Sequence, residues 1–456
     1  MSAIGSALSG IEAAQVGMDT VATNLANAQT AGYIRQSAQL GSVAGGADAV
    51  GSGVAVEAVT LQSNSVLNVL AQSTSAQAGA SKAEAQALSG AQSLFNEPSS
   101  TGLQSQLSAF WSDWTTVANS PGSLAARTTL LGAANQVVDT LHTLAAGLTS
   151  VTQGTQANLS ETIGQVNQQL SQLASLNKAV VAGSGAEGGQ NGLVEQQQAL
   201  AATLATEIGA TTTTSDTGAM DVRVGGFLLV QGSTASRLAV TGIGAGTAIS
   251  VSGTAAPLPL TSGKAAGMMV ALSSDLPSWS ASLDAVAKDL AATVNGQLGG
   301  GVSWTPLGES TATPSAGTPM FVSSGSGPVS ASTIEVSPAM VASPATIAAG
   351  SSASAGPLDG GNAAAMAALS GSSSGPDSAY RSLIGQIGSA VQSATAAETQ
   401  TSQAATQAAA QASASEGVNT NAQLTKMLGY QQMYQAAGKV IGTAATMLNS
   451  LLAAIP

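Results

Sequence analysis

Met427 to Ile455 reads MLGYQQMYQAAGKVIGTAATMLNSLLAAI. Met427, Tyr434, Ile441, Leu448 and Ile455 lie seven residues apart, and Tyr430, Ala437, Ala444 and Leu451 fill the companion positions. Alternating steps of three and four place all of them on one side of a helix, so the spacing predicts a helix with one apolar seam over about four heptads. A lone helix of this kind is marginal in water and needs a second element to cover the seam. The other end of the chain offers one. Ile4, Leu8, Ile11, Met18, Val21, Ala22 and Leu25 recur at helical spacing, with Gln15 interrupting the row of Leu8 and Ala22. Both ends are apolar and nearly uncharged, which an amphipathic helix on an ordinary globular core explains poorly. The expected seam therefore sets Ile4, Leu8, Ile11, Met18 and Leu25 against Met427, Tyr430, Tyr434, Ile441, Leu448 and Leu451.

Between the ends the periodicity changes several times. Gln29 to Gly53 reads as loop, marked by Gly32, Gly41, Gly45, Gly46, Gly51 and Gly53, and Val54 to Val59 alternates as a short strand. Residues 62–95 and Leu103 to Val117 read as helix. After Pro121 a longer seam begins, running through Leu130, Ala134, Val137, Leu141, Leu144, Leu148 and Val151. It slips, then resumes with Leu159, Ile163, Val166, Leu170 and Leu173. A three-four repeat of this length implies long antiparallel helices or a bundle. From Thr211 to about Leu260 short β-branched runs take over, with a hairpin signal of Met220, Val222 and Val224, then Gly225-Gly226, then Phe227 to Val230. Met268 to Leu298 returns to helix. Residues 299–376 are rich in Gly, Ser and Pro with scattered strands at Phe321-Val322 and Ile334 to Val336, and 378–455 reads as a long helical hairpin.

The composition excludes several classes of function. Only 7% of residues are charged, against roughly a quarter in ordinary soluble domains. A surface of Ala, Ser, Thr, Gln and Gly costs little to bury against an identical neighbour, because few ions must be desolvated. A codon bias toward Gly, Ala and Ser contributes to the same composition at least equally. Net charge is −12, and eleven basic residues form no stripe of the kind nucleic acid requires. No run of eighteen apolar residues is present, so no membrane insertion is expected. Met1 to Gly5 opens no secretory signal peptide, so export would take another route. The single histidine, His142, lies beside the Leu141–Leu144 seam and reads as a boundary residue, and with no cysteine neither a Cys–His pair nor a thiolate metal site can form. The glycine clusters lack the Lys-Ser/Thr of a phosphate loop, and no carboxylate pair stands out. No catalytic residue, cofactor or metal is expected, although distant acids can assemble in a fold.

Ser9-Gly10-Ile11-Glu12-Ala13-Ala14-Gln15, followed by Asn24-Leu25-Ala26-Asn27-Ala28-Gln29-Thr30-Ala31-Gly32-Tyr33-Ile34-Arg35-Gln36, resembles the N-terminal signature of flagellar axial proteins. That signature is shared by rod, hook and hook-associated subunits. Gly51 to Val56, Leu94 to Glu97, Pro121 through Arg127, Leu173 to Asn177 and Leu229 to Gly232 are similar to the hook-associated branch at the hook–filament junction. So are Glu416-Gly417-Val418-Asn419 and Tyr430 to Ala436. Two departures stand out. Asn191 to Gln198 lacks the Arg-Asp usual in the family, and Asn421-Ala422-Gln423 replaces an acidic pair.

The resemblance implies a mainly α fold with an inserted β domain. Its terminal helices would pair as an α-helical coiled-coil layer over 1–40 and 415–456. A helical-bundle second domain would occupy 41–210 and 265–414, and a small all-β outer domain 211–264. It implies a structural role, export through the flagellar type III secretion channel, and residence outside the cell in the flagellum. The partners implied are copies of the chain in a ring, hook subunits, a second hook-associated junction protein and an export chaperone on the C-terminal region. Asn24, Asn27, Gly32, Tyr33, Arg35 and Gln36 would join the inner helix to the second domain and touch neighbouring subunits. Open alternatives are the second junction protein, flagellin, a flagellum-associated enzyme, or an adhesin using 211–262, whose only aromatic is Phe227.

Overall fold

The computed structural model describes residues 2–30, 32–43, 53–183, 190–254, 256–305, 307 and 311–454. Gly45, Gly46, Gly51 and Ile455, which figure in the sequence reading, lie outside them. Helix α1 (Ser2–Ala26) leads into an antiparallel hairpin of β1 (Gln36–Ser42) and β2 (Val54–Leu61). The alternation of Val54 to Val59 places β2 correctly. β1 is a correction, because Gln29 to Gly53 reads as loop whereas Gln36–Ser42 pairs along the whole of β2. A strand of Gln, Ser, Ala and Gly has no apolar alternation to announce it; the partner strand extends it.

Four helices follow, α2 (Ser65–Phe95), α3 (Leu103–Asn119), α4 (Leu124–Ala182) and α5 (Asn191–Ile208). Asn64 caps α2 by accepting from the N–H groups of Val66 and Leu67, and Ser123 caps α4 by accepting from that of Ala126. The two seams from Leu130 to Val151 and from Leu159 to Leu173 lie on one unbroken 59-residue helix, about 90 Å long at 1.5 Å per residue. Every residue of the seams is buried except half-buried Val151. The slip between them marks where α4 passes from one hydrophobic core to another: Leu148 belongs to the first and Leu159 to the second.

Strands β3 (Thr211–Thr214), β4 (Met220–Val224), β5 (Phe227–Gln231) and β6 (Thr234–Ala235) form an antiparallel meander, and β7 (Leu238–Thr241) pairs with β8 (Ala248–Val251). Gly225 and Gly226, at φ +52° and +87°, make the two-residue turn that β4 and β5 require. The buried faces of these strands do not close on one another. Val222, Val230, Leu238 and Ile249 share a core with Leu159 to Leu173 of α4 and with Leu204 and Ile208 of α5.

Helix α6 (Lys264–Val270) continues into α7 (Leu276–Gly299) through one π-helical turn at Ala271–Asp275. Pro277 follows directly, and its missing N–H interrupts the regular ladder there. Two further strand pairs come next, β9 (Val302–Thr305) with β10 (Thr313–Ala316) and β11 (Phe321–Ser323) with β12 (Ile334–Val336), then the short helices α8 (Pro338–Ala342) and α9 (Gly361–Ala368). This Gly/Ser/Pro-rich segment is part of the larger core. Met320, Phe321, Ile334, Met340, Ile347 and Met366 are buried with α3, the first half of α4 and α7. Phe110 packs there against Trp111, Trp114 and Phe321, with ring centroids 4.9, 6.3 and 5.9 Å apart.

The last two helices, α10 (Pro376–Glu416) and α11 (Thr420–Ala453), correct the reading of 378–455 as a hairpin. α10 lies along α2, burying Leu383, Ile387 and Val391 in the larger core, while α11 lies antiparallel along α1. Neither core takes a residue from α1 or α11. Among the described residues no helix is long and apolar enough to cross a membrane.

Candidate assembly interface

α1 and α11 meet through small side chains. Ala7, Gly10, Ala13, Ala14, Gly17, Thr20, Val21 and Asn24 are the buried positions of α1, turned toward α11 and the β1–β2 hairpin. A Cβ at Gly10 would sit 3.6 Å from the Ala437 Cβ. At Gly17 it would fall inside the Tyr430 ring, so only glycine admits that ring. These two glycines were missed by the periodicity, yet their seven-residue spacing was a signal. Glycine costs about 1 kcal/mol in a helix interior and usually has a packing reason there.

The large apolar residues of α1 point the other way. Leu8 is 51% exposed, Ile4 and Leu25 are also exposed, and Ile11 and Met18 are half-buried. On α11, Met427, Tyr430 and Ile441 are half-buried, whereas Tyr434, Leu448 and Leu451 are exposed, Leu451 at 65%. At the free end the two helices leave an open, mostly apolar cleft of about 450 Å³ lined by Ile4, Val440, Ala444, Met447, Leu448 and Leu451 together with Lys439 and Thr443.

At the inner end the pair is fastened by amides. Asn24, 1% exposed, donates from Nδ2 to the Gln36 carbonyl at 2.8 Å and to Gln423 Oε1 at 3.2 Å. Its Oδ1 accepts from the Gln36 N–H at 2.8 Å and from the Tyr33 hydroxyl at 2.9 Å. Burial, and secondarily the nearby Glu195 carboxylate, push the Tyr33 hydroxyl up to about 12. Burial likewise raises Glu195, partly offset by hydrogen bonds from the Gln36 side chain and the Ile34 N–H. Asn191 Nδ2 donates to Gln36 Oε1 at 3.3 Å and to the Val59 carbonyl at 2.9 Å. Gly32 takes φ +78°, and Asn27 stays local, donating to the Thr23 carbonyl at 3.0 Å. Arg35 is half-buried and works through its backbone, its N–H donating to the Glu416 carbonyl at 2.9 Å and its carbonyl accepting from Gln62. Among the described residues no carboxylate lies within ion-pair distance of its guanidinium.

The structure therefore brings Asn24, Tyr33, Arg35 and Gln36 together at the joint between the terminal helices and the rest. It gives a role to two residues that the sequence reading quoted only within motifs. Glu416 is buried and accepts from the Asn64 N–H at 2.5 Å and from Asn68 Nδ2 at 2.9 Å. Gln423 is also buried. His142 sits half-buried with Nε2 2.8 Å from the Ile334 carbonyl, a contact within the core region.

Residues 88–321, just over half of the chain, match the family of the flagellar hook-associated protein FlgK helical domain. The chain belongs to that family. Residues 409–454, which hold the end of α10 and α11, match the flagellar basal body rod FlgEFG protein C-terminal family. This FlgK-family chain is 28% identical over 244 residues to flagellar hook-associated protein 1 of Escherichia coli K12, across 52% of the chain and 44% of that relative. To flagellar hook-associated protein 1 of Bacillus subtilis it is 30% identical over 200 residues, across 42% of the chain and 39% of the relative. The match thus spans less than half the length of these curated relatives. The fold is similar to that of the flagellar hook junction protein FlgK from Burkholderia pseudomallei, with a TM-score of 0.50 and 24% identity, over 56% of this chain and 46% of that one. The family is a structural one of the flagellum and not a family of enzymes.

Proposed function

We propose that this chain is a structural subunit of the hook–filament junction, exported through the flagellar type III secretion channel. The observation that carries this reading is the outward row of α1 and α11. Ile4, Leu8, Leu25, Leu428, Met447, Leu448, Leu451 and Leu452 are large, apolar and exposed in the single chain. An uncharged apolar row of this extent is costly to leave in water and is covered when identical chains pack side by side. The terminal pair then forms a coiled-coil inner layer, with the helical core outside it and the β3–β8 region further out. Neighbouring copies in a ring, hook subunits and a second junction protein supply the covering surfaces. Before export the same C-terminal row offers a hydrophobic site for a dedicated chaperone. The Asn24–Gln36 stretch joins inner layer to core and lies where neighbouring subunits would touch.

Deleting the gene tests the reading directly. Electron microscopy should find hooks of normal length without attached filaments, filament subunit should accumulate in the medium, and swimming should be lost. Filaments joined normally to their hooks in the deletion strain would refute the junction role. Shortened or missing hooks would instead place the chain further in along the axis.

A further inference from the structure

The contacts between α1 and α11 advance in matched steps: Gly10 meets Ala437, Gly17 meets Tyr430 and Asn24 meets Gln423. Seven residues along one helix correspond to seven back along the other. We propose that Tyr430 and Gln423 set the register in which α11 seats on α1. This deepens the reading given above and rests on it, since it supposes that the terminal helices pair.

Neither the apolar rows nor the charges carry enough information to fix that register. The large apolar side chains of α1 face away from α11, and the small ones on its buried face, seven apart, pair about equally well after a slip of one heptad. The charges are Glu12 and Asp19 on α1 and Lys426 and Lys439 on α11, and none forms an ion pair among the described residues. The two named residues exclude the two slips separately. In one direction the Tyr430 ring leaves the Gly17 hole and meets buried Asn24, where no space exists for it. In the other direction Tyr430 meets Gly10 and is accommodated. Gln423 then moves to Gly17, and the Asn24 carboxamide faces the chain at Glu416, before the start of α11. The Asn24 N–H that donates to Gln423 loses its acceptor, while the other keeps the Gln36 carbonyl, and a side chain 1% exposed in the native register then lacks one partner. A single polar pair in an apolar seam fixes register in this way at some cost in stability.

The chain contains no cysteine, so introduced pairs report cleanly. A Cβ at Gly10 lies 3.6 Å from that of Ala437, within the span a disulfide bridges. In the full-length purified chain, Gly10→Cys with Ala437→Cys reads the native register, and Gly10→Cys with Ala444→Cys reads the slip of one heptad that would bring Tyr430 onto Asn24. Each pair is oxidised in the unsubstituted background and in one carrying Gln423→Leu and Tyr430→Leu. That background leaves Asn24, its bonds to Gln36 and Tyr33, and both hydrophobic cores untouched. The unsubstituted background should close the native pair within one chain and the shifted pair at least tenfold less. In the double-leucine background the shifted disulfide should rise at least threefold as the native one falls. No rise of the shifted disulfide there would overturn the proposal and assign the register to the covalent connections at the joint. Failure of the native pair to close in the unsubstituted background, or its closure only between chains, would instead overturn the terminal pairing on which the proposal rests.

Discussion

Arg127 is buried, and among the described residues no carboxylate pairs with it. Its Nε and Nη2 donate to the Pro121 carbonyl at 3.1 and 2.8 Å, and its Nη1 reaches the carbonyls of Pro344, Ala345 and Ile347. Burial lowers its pKa to about 10, so it remains charged at neutral pH, balanced by backbone dipoles alone. The fork ties the first turn of α4 to the segment between α8 and α9. Arg127→Ala should lower stability by about 3 kcal/mol or more, the scale of several orphaned carbonyls, read from the urea midpoint, and Arg127→Lys should recover less than half. Tyr33 makes a pH-dependent contribution. Its hydroxyl is pushed up to about 12 in the fold, against about 10 in an unfolded chain, so the folded state holds this proton more tightly. The stability it supplies is complete below pH 10 and is lost as pH rises toward 12. Thermal melts at pH 9 and 11.5 should differ more for the native chain than for Tyr33→Phe. The Asn24 to Gln36 signature was legible because its residues are contiguous. The roles of Glu416 and Gln423 were not, because their partners Asn68, Asn64 and Asn24 lie 348, 352 and 399 residues away.

Helices and strands are joined by one repeated device. Asn167 donates from Nδ2 to the Leu238 carbonyl at 2.9 Å and accepts at Oδ1 from the Leu238 N–H at 2.7 Å. Asn177 does the same with Met220, at 2.9 Å for both bonds, and adds the Gly232 carbonyl and Gln197. Asn295 brackets Phe321 at 2.6 and 3.0 Å, and Asn24 brackets Gln36. In each case a carboxamide on a helix supplies the donor and acceptor that a neighbouring strand would otherwise give. Asn177→Ala should cost about 3 kcal/mol, since it orphans buried N–H and C=O groups on β4. Asn449→Ala, at an exposed position of α11, should stay within about 0.5 kcal/mol; denaturant titrations of both variants check the contrast. Sequence reasoning treats Asn as a cap or turn residue, so these brackets were invisible until the strands they hold were in place.

Across the whole molecule the near absence of charge has a structural counterpart. Among the described residues the ion pair is Lys264 with Glu207, at 3.8 Å and partly exposed, which contributes little. Burial and carboxamides hold the fold together. The residues of both cores all fall in the stretch of chain from α2 to α10, only the larger core takes residues from α10, and neither uses α1 or α11. A chain cut to residues 35–417 should therefore melt within about 3 °C of the full chain, a difference of at most about 2 kcal/mol at this size, while losing all capacity to assemble. Differential scanning calorimetry and sedimentation of the two forms separate these effects.

The position of the helical stretches, the β4–β5 hairpin and the apolar rows at both termini follow from the sequence alone, because periodicity and glycine placement are local properties of the chain; that both seams lie on one helix does not. The partners of those elements were decided only by tertiary structure. Residues 299–376 gave no periodic signal yet bring Phe321, Ile334 and Ile347 into the larger core, because burial there comes from single anchors in irregular chain. On α1 a stripe shows which side is apolar but not which side is covered first. The small face of Gly10 and Gly17 admits α11 most closely, and so Ile4, Leu8 and Leu25 are left facing outward.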